Sequence, residues 1–252
     1  MTHPFLDHPL PIAFAHRGGG LEAEENTLAA FRHAAALGYR HFETDVQVSR
    51  DGVAVIFHDD TLDRIAGRPE RVDALDWAEL RDVRTKAGNG LLRLDEMLDA
   101  FPGHFMNLEA KSDAAVQPIA DAIRRAGALD RVCAGSFEAR RTAELRRILG
   151  PGLCWSPAHG GVLSIWLAGF GLPVPRPGFR VVQVPPLHFG IPVVTSRFVA
   201  AARARGVHVH VWTVDERAEM ERLIDLGVDG IMTDRPTVLK EVLTARGLWR
   251  GA

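Results

Sequence analysis

The sequence predicts a (β/α)8 TIM barrel, an α/β fold, formed as a single domain over residues 1–252 with its core at about 11–246. Three observations carry that expectation. Short β-rich runs alternate with helical patterns along the whole chain, no linker or composition break divides it, and its unusual polar residues fall where apolar runs stop. Repeated β-α units imply parallel strands with right-handed crossovers, and eight of them in roughly 250 residues match a closed barrel. A doubly wound open sheet is the rival, but the first β-α turn, "AHRGGGLEAEENT", lacks the G-x-G-x-x-G fingerprint.

Apolar runs end near Ala15, Asp45, Phe57, Glu109, Ser136, Trp155, Val184, Trp212 and Thr233. Helical periodicity fills the gaps: "NTLAAFRHAAALG" (26–38), "DWAELRDV", "LDEMLDAF", "AAVQPIADAIRRAG" (114–127), "EARRTAELRRILG" (138–150), "SRFVAAARARG" (196–206), "ERAEMERLIDLG" (216–227) and "PTVLKEVLTARG" (236–247). Several stop at a glycine, which suits the left-handed residue after a helix. The apolar segment Val162 to Leu172 reads as a buried fifth barrel helix, or as a cap admitting an acyl chain.

Composition narrows the function. A net charge of −2 gives no nucleic-acid surface, and the arginine-rich stretches read as solvated helix faces. Cys133 and Cys154 are too few for a disulfide framework or zinc module and read as reduced thiols. The start has neither the basic nor the apolar region of a signal peptide, and the longest apolar stretch is too short to span a bilayer. A soluble, cytoplasmic protein without membrane insertion is expected.

In a barrel, catalytic groups sit at the C-terminal strand ends and in the loops that follow. His16 and Arg17 follow strand 1, Glu43 and Asp45 end strand 2, and His58 and Asp59 follow "VAVIF". Glu109 and Lys111 end strand 3, and Trp212 and Thr213 end strand 7. Residues i and i+2 on a strand share a face, so Glu43 and Asp45 point together, as do Glu109 and Lys111. Three converging carboxylates would raise one another's pKa, and one hard divalent cation, Mg2+ or Ca2+, resolves the repulsion through oxygen ligands. Ion pairs with Arg40 or Arg50 are the competing explanation for Glu43 and Asp45. His16 and His58 add imidazoles, the side-chain type that can titrate near neutral pH as acid–base catalysis requires. Arg17 suits either a bidentate grip on phosphate or a plain salt bridge. Gly18, Gly19 and Gly20 would let backbone approach a ligand closely. Asn26 or Thr27 caps the first helix or lies near the site. His188 is placed either at the pocket or on the surface. Together these groups suit attack on a phosphoryl group.

The same residues resemble the glycerophosphodiester phosphodiesterase family. Its markers occur in order: "AHRGG", "EENTLAAF", "ETDVQVSRDG", "FHDDTLDR", "LDEML", "NLEAK", "VWTVD" and "GIMTDRP". The resemblance spans nearly the whole chain. "LDRIAGRP" departs from the family's usual run, and the later part is similar to bacterial, actinobacterial-type members. It implies a barrel that hydrolyses glycerophosphodiesters to glycerol 3-phosphate and an alcohol with one divalent cation. Glu43, Asp45 and Glu109 would be the metal ligands, and His16 and His58 the acid–base pair. Arg17 and Lys111 would contact phosphate, Asn26 would lie near the metal, and Trp212 would line the pocket or sit in the core. In the mechanism expected, a substrate hydroxyl or water attacks phosphorus with His16 as base and His58 as acid, or the reverse. Lysophospholipids cleaved by a lysophospholipase D or sphingomyelinase D-like activity are the alternative substrates. A non-catalytic phosphate-binding barrel would be expected to lack a ligand or a histidine, and every motif position is filled.

Overall fold

The computed structural model describes residues 3–251. Eight parallel strands form a nearly closed barrel: β1 (Ile12–His16), β2 (His41–Val48), β3 (Phe105–Ala110), β4 (Val132–Gly135), β5 (Cys154–Trp155), β6 (Val181–Val184), β7 (His208–Val211) and β8 (Gly230–Thr233). The ladders run β5-β4-β3-β2-β1-β8-β7-β6. The two end strands are tied through a side chain, the Gln183 N–H donating to Ser156 Oγ at 3.1 Å. Each strand leads to a helix: α1 (Leu28–Leu37), α2 (Leu94–Ala100), α3 (Val116–Arg125), α4 (Ala139–Leu149), α5 (His159–Ala168), α6 (Ser196–Arg203), α7 (Arg217–Leu226) and α8 (Pro236–Ala245). No helix among the described residues is long and apolar enough to cross a membrane.

Strand alternation sorts the side chains into two compartments. Phe42, Val46, Met106, Leu108, Val209 and Ile231 join the large core between sheet and helices. Their neighbours point into the barrel. At its lower end Phe5, Ile12, Phe14, Cys133, Cys154 and Met232 form a second apolar cluster. Phe5 comes from a single 3-10 turn, Pro4–Leu6, that plugs the floor. Cys133 and Cys154 face each other across β4 and β5, free and buried.

Three elements add to the sequence reading or differ from it. "VAVIF", read only as a short apolar run outside the numbered barrel strands, is a return strand: Ala54–Ile56 runs antiparallel to β2 and then pairs with Leu92–Arg93. "DWAELRDV" gives a single helical turn, Trp77–Leu80, inside the intervening excursion. That excursion has its own small core of Val55, Phe57, Leu62, Val72, Leu80 and Val83. Finally, α5 is not a buried barrel helix: Ile165 and Ala168 are its buried residues, while Leu163 is 53% exposed. β5 is two residues long and makes no ladder with β6, so α5 lacks a flat sheet beneath it. It turns Val162, Leu163 and Trp166 toward the barrel mouth instead.

Candidate active site

A cavity of about 660 Å3 opens at the C-terminal ends of the strands. Register builds its polar wall. His16 pairs with Glu43 across β1 and β2, and Asp45 with Glu109 across β2 and β3. All four side chains point inward and line the cavity with Arg17, His58 and Lys111. Glu43 and Asp45 are buried at 5% and 1% exposure, and they are not edge-strand charges, because β2 has a partner on each side. Arg50 is not their counter-ion; it pairs with Asp76 and Glu79 on the surface.

Each histidine is oriented by an aspartate. His16 Nδ1 lies 2.8 Å from Asp234 Oδ1, and His16 Nε2 lies 3.5 Å from Glu43 Oε2. His58 Nδ1 lies 2.6 Å from Asp59 Oδ1. Asp59 also accepts from Arg64 Nε at 2.7 Å, and Arg64 reaches on to Glu25, which accepts from Arg17 Nη1 at 3.2 Å. One chain of charge-assisted contacts therefore runs from the second histidine to the first loop. Arg17 itself sits at φ 52° in the left-handed region, its N–H donating to the Glu43 carbonyl at 2.9 Å. Such a conformation is costly for a non-glycine residue and is fixed here by the bonds around it.

The electrostatics show a shortage of positive charge. Burial pushes the Glu43 carboxyl up to about 8, with Asp45 and Glu109 adding to it and His16 and Arg17 opposing. Glu109 is also raised, by burial first, against the pull of Lys111. Burial alone would lower His16, but Glu43 and Asp234 outweigh it and raise the imidazole to about 9. Lys111 Nζ stands 3.5 Å from both Asp45 and Glu109, and Arg17 Nε 3.0 Å from Asp45. With these two cations among the carboxylates, no group of three or more His, Cys, Asp or Glu side chains among the described residues is arranged to hold a metal ion. The donor chemistry still fits a hard divalent cation: three oxygen donors converge on one wall, and two of them are held above the usual carboxylate range.

The remaining expected residues fall as follows. Trp212 lines the cavity, its ring edge-on to Phe137 at 5.6 Å. His188 is both exposed and at the mouth. Asn26 is buried beside Asp45: it donates to Asp45 Oδ2 at 3.2 Å and accepts from Thr44 at 2.8 Å, while Thr27 caps α1. Gly18 and Gly19 serve packing rather than ligand approach, since a Cβ on them would meet Ala30 at 2.7 Å and Pro236 at 2.6 Å. Sequence reasoning passed over Asp234, Glu25 and Arg64. Asp234 lay within "GIMTDRP", but only the β1–β8 ladder, which pairs Ala15 with Thr233, brings it to His16. Gln183 was also missed; its Nε2 donates to Asn107 Oδ1 at 2.6 Å on the cavity floor.

The chain has relatives among known proteins. The model of the glycerophosphoryl diester phosphodiesterase family matches residues 16–156 and 171–238. The chain is 40% identical to the probable glycerophosphodiester phosphodiesterase 2 of Mycobacterium tuberculosis, covering 100% of this chain and 97% of that protein. It is 26% identical to lysophospholipase D GDPD1 of Rattus norvegicus, over 91% of this chain and 85% of that one. In fold it is similar to a phosphodiesterase of Oleispira antarctica solved in complex with the product sn-glycerol-3-phosphate. That likeness has a TM-score of 0.78 at 22% identity, covering 93% of this chain and 97% of the other. The chain is a phosphoric diester hydrolase and belongs to the glycerophosphoryl diester phosphodiesterase family.

Proposed function

We propose that the protein hydrolyses glycerophosphodiesters to glycerol 3-phosphate and an alcohol, with His16 and His58 moving the protons. The observation that carries this reading is the pair of Asp-oriented imidazoles on one cavity with three inward carboxylates. With its Nδ1 held by Asp234, His16 presents Nε2 toward Glu43 and the cavity, where it would take the proton of an attacking hydroxyl once its own raised imidazole has been deprotonated. His58, fixed through Asp59, is placed to return a proton to the leaving alkoxide; the opposite assignment uses the same atoms. Arg17 and Lys111 line the cavity as cations for the phosphate oxygens, and Asn26 holds Asp45 in place from behind. Trp212 supplies a flat wall for the glycerol or alcohol part. Glu43, Asp45 and Glu109 would hold a divalent cation, Mg2+ or Ca2+, which when bound neutralises phosphate oxygens and activates a hydroxyl.

The cavity also has an apolar side, formed by Val162, Leu163, Trp166, Ile191 and Val193. It supports a second reading, lysophospholipid cleavage by the same groups. A metal-dependence assay with glycerophosphocholine and lysophosphatidylcholine separates the two. Activity should require a divalent cation, favour the deacylated diester, and fall at least about 1000-fold in Glu43→Ala. Full activity of Glu43→Ala in chelator would overturn the metal site. Unimpaired His16→Ala and His58→Ala variants would overturn the two-histidine scheme.

A further inference from the structure

Large apolar side chains stand exposed along one segment: Leu163, Phe170, Leu172, Leu187, Phe189 and Ile191. Phe189 is the extreme case. It is 93% exposed at the turn of an antiparallel hairpin joining Leu187–His188 to Ile191–Pro192. Its φ of 48° lies in the left-handed region, where asparagine or glycine would sit with less strain. A phenylalanine is thus doubly unfavourable there as long as water surrounds it.

The hairpin is continuous with α5 and the start of α6. The His188 ring lies 5.8 Å from that of His159, the first residue of α5. At the other end of α5, the Arg197 guanidinium lies 5.7 Å from the Phe170 ring. Leu163 and Ile191 also line the cavity, so this surface is the apolar rim of the active-site mouth.

Charge completes the pattern. In a chain of net charge −2, residues 145–214 contain seven arginines and neither Asp nor Glu. The exposed apolar residues of this surface all lie in that acid-free stretch. An apolar surface with Arg197 beside it, built from a stretch without Asp or Glu, suits an interface bearing anionic head groups. The tip is convex, and a single projecting ring needs a shaped pocket on a protein but none in a fluid lipid phase.

We propose that the hairpin tip and the exposed side of α5 dock on an anionic lipid surface, seating the active-site mouth against it. Docking is peripheral: apolar tips enter the head-group layer and arginine meets phosphate.

The test is co-sedimentation with vesicles of phosphatidylcholine alone and of phosphatidylcholine with phosphatidylglycerol. Leu187, Phe189 and Arg197 do not line the cavity, so Leu187→Ser/Phe189→Ser and Arg197→Glu leave the site intact. The wild-type protein should bind the phosphatidylglycerol vesicles and release as salt is raised. The double variant should bind about tenfold or more weakly, while hydrolysing a soluble diester at the wild-type rate. Arg197→Glu should weaken binding to anionic vesicles only. Absent or equal binding to the two vesicle types, or binding unchanged by the double substitution, overturns the proposal. So does concentration-dependent self-association abolished by the same substitutions, which would make the face a protein interface. No turnover enters the binding assay, so its outcome is separate from that of the phosphodiesterase reading.

Discussion

His16 is gripped at both ring nitrogens, by Asp234 at Nδ1 and by Glu43 near Nε2, and the first contact sets which nitrogen faces the substrate. Asp234 is itself anchored, its N–H donating to Asp215 Oδ1 at 2.7 Å. Asp234→Asn keeps the shape but removes the charge that holds the imidazole and its tautomer. It should lower kcat by about 10–1000-fold while leaving KM nearly unchanged, as steady-state kinetics on a soluble diester would read. A wild-type kcat would reduce Asp234 to a structural role. The contrast between the two sides of His16 shows what the sequence discloses at this scale. Glu43 and Asp45 were legible because a period-two repeat inside an apolar strand puts both on one face. Asp59 adjoins His58 in the chain and was legible as a polar neighbour. Asp234 is 218 positions from His16, and no local pattern connects them. Likewise, the convergence of carboxylates was legible, as were a salt bridge from Arg17 and the shared face of Glu109 and Lys111, but not that both cations would meet on Asp45, because side-chain reach is invisible to spacing.

The loop between β1 and α1 decides whether those residues meet, and its glycines carry the clearest prediction at this scale. Gly18 has φ +83°, and an added Cβ would lie 2.7 Å from the Ala30 Cβ and 2.9 Å from its backbone carbon. Gly52 has nearly the same φ, +84°, with nothing within 4 Å. Gly52→Ala therefore measures the conformational penalty alone, about 1–2 kcal/mol. Gly18→Ala adds an overpacking cost and should lose about 2–5 kcal/mol in urea unfolding, shifting α1 away from the site. Equal losses would mean that α1 yields without resistance. The sequence marked this run as special but assigned it to ligand approach. A glycine signals a missing Cβ, and whether the space belongs to a ligand or to a helix is set by tertiary packing. The same limit explains α5 and the return strand Ala54–Ile56. Their apolar content is plain in the sequence, but the pairing partner that decides layer or lid is not.

At the scale of the whole molecule, the barrel separates a polar mouth from an apolar floor, and two histidines are sealed into the floor. His210 is 0% exposed, and neither ring nitrogen has a hydrogen-bond partner. Burial, reinforced by His208 and His41, holds it well below the ordinary imidazole range. His41 is lowered to about 3, again by burial first, although its Nε2 meets the Phe5 carbonyl at 3.1 Å. Both are neutral in the folded barrel and free to take a proton once unfolded. A group with a depressed folded pKa contributes stability that is present above its unfolded pKa, here 6.5, and lost as pH falls toward the folded value. Stability should therefore decline from pH 7 downward, by about 2 kcal/mol per histidine between pH 7 and about pH 5. The measurement that isolates this term is a difference, because the raised imidazole of His16 acts in the opposite direction over part of the same range. His210→Leu replaces the unpartnered ring with an apolar side chain of similar size. Its denaturation midpoint should fall less than that of the wild type on going from pH 7 to about pH 5, by the equivalent of about 2 kcal/mol. An unchanged pH slope would show that protons reach His210 in the folded state, and hence that the floor of the barrel admits water.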